Sequence, residues 1–159
     1  MPTIVIGADT PVGVATIEAI RPRTIELRAF VSTQEAAAGL RTGGVIAAVG
    51  DVSDGSHVAG AAFGAFCAVL VNAAATDGRE THFAPPDDVV AVWLKAMVDA
   101  GVTRVILVSD TPVDVPPAIP ESAVVATAGR LPEEVAEVVA FLEDAAALPF
   151  DQMPTEWES

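Results

Sequence analysis

The feature that most limits how this chain can fold is a repeated alternation. Short apolar runs stand at residues 2–7 (PTIVIG), 25–31 (IELRAFV), 44–49 (GVIAAV), 66–72 (FCAVLVN) and 103–109 (TRVILVS). Each is six or seven residues long, and apart from Glu26 and Arg28 in the second they lack alternating polar positions, as in strands buried on both faces. Helix-compatible segments fill the gaps at 11–21, 33–40, 54–64 and 87–100. Pro11 suits a first helical position, with Asp9 or Thr10 as its cap. Ser32 and Glu35 match a capping box for the second helix. A strand–helix alternation of this kind predicts an α/β fold. It is a doubly wound, Rossmann-like parallel sheet with helices on both faces (three layers, αβα) and five to six strands.

Beyond Ser109 the pattern loosens. Residues 110–120 hold four prolines and read as neither helix nor central strand. Residues 122–127 (SAVVAT) are the candidate sixth strand. Residues 132–147 form a helix opened by Pro132 with acids in its first turn. The expected organisation is one domain over 1–147, with an irregular acidic tail at 148–159.

Charge narrows the partners. Twenty-two acids against eight bases give −14, with a pI near 4.2. Residues 110–159 carry eleven acids and one base, Arg130. Such a chain repels nucleic acid and anionic membranes, which bind through basic patches. The acidic C-terminal segment is a candidate docking element for a protein partner. No apolar run reaches the roughly 18 residues of a membrane span, and no basic-then-apolar leader precedes the first strand, so a cytoplasmic location is expected. Cys67 is the one cysteine. It allows no internal disulfide and no zinc ribbon, and its apolar strand suggests an inert core thiol.

Four segments resemble the short-chain dehydrogenase/reductase superfamily, including its atypical NmrA-like members. Gly7-Ala8-Asp9-Thr10-Pro11-Val12-Gly13 stands where that family has its glycine-rich turn. Gly50-Asp51-Val52 follows the third strand, as the family's adenine-contacting Asp does. Leu70-Val71-Asn72-Ala73-Ala74-Ala75 is similar to its Asn-Asn-Ala-Gly segment, and the run from Gly129 to Ala136 to the start of its late helix. The resemblance implies an NAD(P) site formed by Gly7, Asp9, Thr10, Pro11, Val12, Gly13, Ser32, Asp51, Val52, Asn72 and Ala73. Members of the family are usually longer, mainly between the fifth strand and the late helix.

The residues themselves leave alternatives open. Gly7 and Gly13 fill the outer roles of the phosphate turn, but Thr10 or Pro11 replaces the middle glycine. If Asp9 caps the helix, its carboxylate takes the N–H groups a phosphate would use. The turn is then either a nucleotide site with a variant loop or a self-capped turn without ligand. Ser32-Thr33-Gln34, after the second strand, offers neither an acid to select NAD nor a base to select NADP, and Ser32 reads as a helix cap. Asp51 could meet adenine or cap the helix near Ser53 and Asp54.

The resemblance also implies a catalytic Tyr, a Lys four residues on and a Ser after the fifth strand. Ser109 matches the Ser. The chain has no tyrosine, and its lone lysine, Lys95, precedes the fifth strand. The expected function is a non-catalytic nucleotide-sensing or interaction module binding NAD(P) weakly or not at all. The alternative is an atypical NAD(P)H-dependent oxidoreductase. No metal site is expected. Asp77, Glu80 and His82 read as a solvated loop rather than a metal or acid–base site. The helix 87–100 is apolar nearly all round, so a second cover is expected, either a homodimer partner or the acidic C-terminal segment.

Overall fold

The computed structural model describes residues 1–24 and 26–146. Six strands form one sheet: β1 (Thr3–Ile6), β2 (Leu27–Val31), β3 (Ile46–Val49), β4 (Cys67–Val71), β5 (Arg104–Val108) and β6 (Glu121–Val125). Their order is β3-β2-β1-β4-β5-β6, and every pairing is parallel. The helices are α1 (Pro11–Ile20), α2 (Gln34–Thr42), α3 (Gly55–Ala62), α4 (Ala73–Thr76), α5 (Val89–Ala100) and α6 (Pro132–Asp144), with a 3₁₀ turn at Pro86–Asp88. This is the expected doubly wound fold. The expected tail, 148–159, lies outside the described residues, and so does Ile25 at the expected start of the second strand.

Strand alternation sorts the core into two layers. Val5, Val69, Val71, Ile106 and Val108 point to one face, where they meet Ile17 and Ile20 of α1 and Val135 and Val139 of α6. Ile4, Ile6, Leu70, Val105 and Leu107 point to the other, against Val58 of α3 and Trp93 and Met97 of α5. Val89, Trp93, Leu94 and Met97 are buried within a single chain, and α3 packs along the flank of α5.

Arg104 ties α6 to the sheet. Its side chain is 1% exposed and pairs with Glu121 at 2.7 Å. It also donates to the carbonyls of Leu142, Glu143 and Ala145 at 2.7–3.0 Å. These are the carbonyl groups that a helix C-terminus leaves without partners. The helix stops at Asp144, short of the expected 147.

Two expected caps are corrected. Thr33, not Ser32, caps α2: its hydroxyl accepts from Ala36 N–H at 3.2 Å. Ser32 is instead drawn toward Asp9, whose carboxylate accepts from Ser32 N–H at 3.0 Å. Asp54, not Asp51, caps α3.

Candidate functional site

In an open parallel sheet a ligand sits beyond the carboxyl ends of the strands, where the strand order reverses. Here that point lies between β1 and β4, and the turn from β1 to α1 borders it. Gly7 has φ +86°, and a Cβ there would stand 2.8 Å from Ala74 Cβ. A Cβ on Gly13 would stand 2.0 Å from the Gly7 carbonyl oxygen. Both glycines are therefore fixed by close approach and not by chance.

Thr10 caps α1. Its hydroxyl accepts from Gly13 N–H at 3.0 Å and donates to Gly7 O at 2.6 Å. Asp9 does not cap, because its carboxylate is engaged elsewhere. The N–H groups of Ala8, Asp9 and Val12 donate to no protein acceptor among the described residues. A buried residue such as Ala8 rarely keeps an orphan donor unless something else takes it. The turn thus fits an anion such as a pyrophosphate.

Asp9 meets a residue that inspection of β2 could not find. Arg79, from the loop after β4, places Nη1 3.0 Å from Asp9 Oδ1 and 2.9 Å from Ser32 Oγ. Its Nη2 donates to Asp77 at 2.6 Å. These side-chain bonds to Asp77, opposed by burial and reinforced by Asp9, push the Arg79 pKa up. The Arg79 bond holds the Asp77 carboxyl below the usual range. A single basic side chain thus stands at the β2 end, 47 residues along the chain from Ser32.

The same loop reaches Asp51. The Asp51 carboxylate accepts from Ser53 N–H at 2.8 Å, Ser53 hydroxyl at 2.6 Å and His82 N–H at 2.7 Å. Burial works against its charge, but these bonds prevail and lower its pKa. Val52 is fully buried, and its carbonyl accepts from the Trp93 indole at 2.7 Å. Trp93 therefore anchors the turn after β3 to α5, a role its place in an apolar helix does not announce.

Across the switch point, Asn72 follows β4 and Ser109 follows β5. Asn72 Nδ2 lies 3.5 Å from Ser109 Oγ. The hydroxyl of Ser109 also contacts Thr111 at 3.1 Å. Ala73 opens the short α4. The structure therefore gathers the sequence-predicted residues into two groups. Gly7–Gly13, Ser32 and Asp51 lie toward β1–β3, and Asn72, Ala73 and Ser109 lie at β4–β5.

Glu80 and His82 are exposed and 3.4 Å apart. Among the described residues, no group of three or more His, Cys, Asp or Glu is arranged to hold a metal ion. Burial pushes the Cys67 thiol far up, which disfavours a thiolate. Among the described residues, no helix is long and apolar enough to cross a membrane.

Among solved structures, the chain is similar to Citrobacter sp. triphenylmethane reductase complexed with NADP(H). The TM-score is 0.74 at 14% identity, over 92% of this chain and 67% of that one. It is similar to Escherichia coli NADPH-dependent quinone oxidoreductase complexed with NADPH, with a TM-score of 0.71 at 13% identity, over 92% of this chain and 66% of that one. It is similar also to an anaerobillin reductase from Escherichia coli O157:H7, at 0.68 and 19%, over 97% of this chain and 100% of that one. The chain thus spans about two thirds of the first two proteins and the full length of the third. No curated protein sequence matches it. A family model described as NAD(P)H-binding matches residues 7–147, and the chain belongs to that NAD(P)H-binding family.

Proposed function

We propose that the protein is an atypical NAD(P)H-dependent oxidoreductase acting on a small molecule. One observation carries this reading: Thr10 caps α1 in place of Asp9, which leaves the N–H groups of Ala8, Asp9 and Val12 without protein acceptors. A turn closed against phosphate would have used them. An open turn fits nucleotide binding, which a nucleotide sensor and an oxidoreductase share. The three reductases of similar fold favour the oxidoreductase over a non-catalytic module, and one of them is matched over its whole length.

In this reading the Gly7–Gly13 turn holds the pyrophosphate. Ser32, Arg79, Asp51 and Val52 hold the adenosine end, and Asn72, Ala73 and Ser109 border the nicotinamide end. The cofactor, when bound, supplies a hydride. The chain's own part is to orient the reactants, since the family's Tyr is missing and positioning alone lowers a barrier substantially. Arg79 beside Ser32 favours NADPH, because a guanidinium pairs well with a 2′-phosphate.

Calorimetric titration with NADPH and NADH tests this. Micromolar binding is expected, tighter for NADPH. No heat with either cofactor, while the protein melts cooperatively, refutes the reading.

A further inference from the structure

In a dinucleotide fold the ribose 2′ position lies at the end of the second strand, where an acid meets its hydroxyl or an Arg accepts its phosphate. Ser32 follows β2 directly here, and the polar groups around it are bonded to one another. The Asp9 carboxylate accepts from Ser32 N–H at 3.0 Å and from Arg79 Nη1 at 3.0 and 3.2 Å. Nη1 also donates to Ser32 Oγ at 2.9 Å, while the Ser32 hydroxyl itself donates to no described residue. The other edge of the guanidinium, Nε and Nη2, is gripped by both oxygens of Asp77 at 2.6–3.2 Å. Asp9 and Arg79 are well shielded, their side chains 14% and 15% exposed.

A backbone N–H, a hydroxyl and a guanidinium nitrogen that converge on one anion are the donors a phosphate monoester uses. Here the anion they meet belongs to the protein, and it comes from the turn after β1. One guanidinium faces two carboxylates, so the group as a whole is formally negative. A 2′-phosphate brings roughly −1.5 to −2 more. Like charges at such range repel strongly in a shielded site, so the phosphate must take the place of Asp9. The carboxylate resists this at the high effective concentration of a tethered group. A ribose 2′-hydroxyl meets no such conflict, because it is a neutral donor that a carboxylate can accept.

We infer that Asp9 competes with the cofactor's 2′-phosphate for Ser32 and Arg79, and so holds down the preference for NADPH that Arg79 provides. The inference deepens the cofactor assignment proposed above and rests on it. Calorimetry compares NADPH and NADH on the parent chain, Asp9→Asn and Asp9→Ala. The readout is the ratio of the two affinities, because a lost charge beside the turn also eases the pyrophosphate that both cofactors share. In both variants the ratio should rise about tenfold in favour of NADPH. Glu35→Gln controls for charge at a distance. Glu35 is exposed on α2, three residues after Ser32, and has no hydrogen-bond or ion-pair partner among the described residues. Its ratio should stay within about twofold of the parent's. Melting curves check folding, and Asp9→Asn, which keeps the side-chain shape, carries the test if Asp9→Ala does not fold. A ratio that is unchanged or lowered in Asp9→Asn, or that rises equally in Glu35→Gln, overturns the inference.

A second arm separates this inference from the reductase reading. Adenosine 2′,5′-bisphosphate and 5′-AMP repeat the comparison without nicotinamide or pyrophosphate. If both cofactors bind and their ratio is indifferent to Asp9, the reductase reading stands and the inference falls. If neither cofactor gives heat but the bisphosphate binds Asp9→Asn about tenfold more tightly than the parent, with 5′-AMP little changed, the inference stands and the reductase reading falls. If neither the cofactors nor the bisphosphate bind the parent or the variants, both fall.

Discussion

Gly13 has the tightest surroundings of the described glycines. A methyl group there would collide with the Gly7 carbonyl oxygen at 2.0 Å, a backbone atom that cannot swing aside as a flexible side chain does. Gly13→Ala is expected to cost about 1–3 kcal/mol and to abolish cofactor heat in calorimetry; wild-type binding by this variant would disconnect the turn from the cofactor. Arg79 belongs to the same scale. Its charge is spread over Asp77, Asp9 and Ser32. Arg79→Ala should weaken NADPH about tenfold and NADH much less, the size of a lost charge-assisted hydrogen bond. An equal loss for both cofactors would place Arg79 outside the 2′-phosphate's reach. The sequence showed that Asp9 and Thr10 compete to cap α1. It did not show which would win, because the deciding partner is an arginine 70 positions away.

Elements here are held by a few polar ties between apolar layers. Arg104 joins β5 to β6 through Glu121 and closes the end of α6 through three carbonyl groups. Removing a buried, fully bonded cation breaks all of these bonds at once. Arg104→Met should therefore destabilise the fold by about 3 kcal/mol, seen in urea unfolding. A loss under about 0.5 kcal/mol would mean that water replaces the guanidinium freely. Trp93 joins α5 to the turn after β3 through the Val52 carbonyl. Trp93→Phe keeps the apolar bulk and loses that one bond. It should cost about 1 kcal/mol and reduce cofactor affinity, since the Asp51–Val52 turn loses its anchor. The pattern of 87–100 showed a helix apolar nearly all round, with Trp93 on it. Its N–H donor role appears only when the turn lies beneath it.

At the scale of the whole molecule, acid is the expected weakness. Asp77 is lowered by Arg79, Asp110 by the hydroxyl and N–H of Thr127, and Asp51 by Ser53 and His82 against the opposing effect of burial. A carboxylate whose pKa is lower folded than unfolded adds stability above its unfolded value of about 4. That stability is lost as pH falls through the folded value. Melting temperature should hold steady at neutral pH and drop below about pH 4, with a shallower drop in Asp110→Asn; a variant as acid-sensitive as the parent would remove Asp110 from the account. The strand and helix positions, the two-faced burial and the parallel order followed from local sequence. Apolar runs without alternation have no solvent face, and helices between them must cross over the sheet. Gly7, Gly13 and Asp51 were also visible, because turn geometry restricts residue type locally. The partners of Asp9, the engagement of Ser32 and the basic group at the β2 end were decided by tertiary structure alone. Each depends on the loop after β4 folding over a distant strand end. Side-chain pairing across such distances leaves no periodic trace in the sequence.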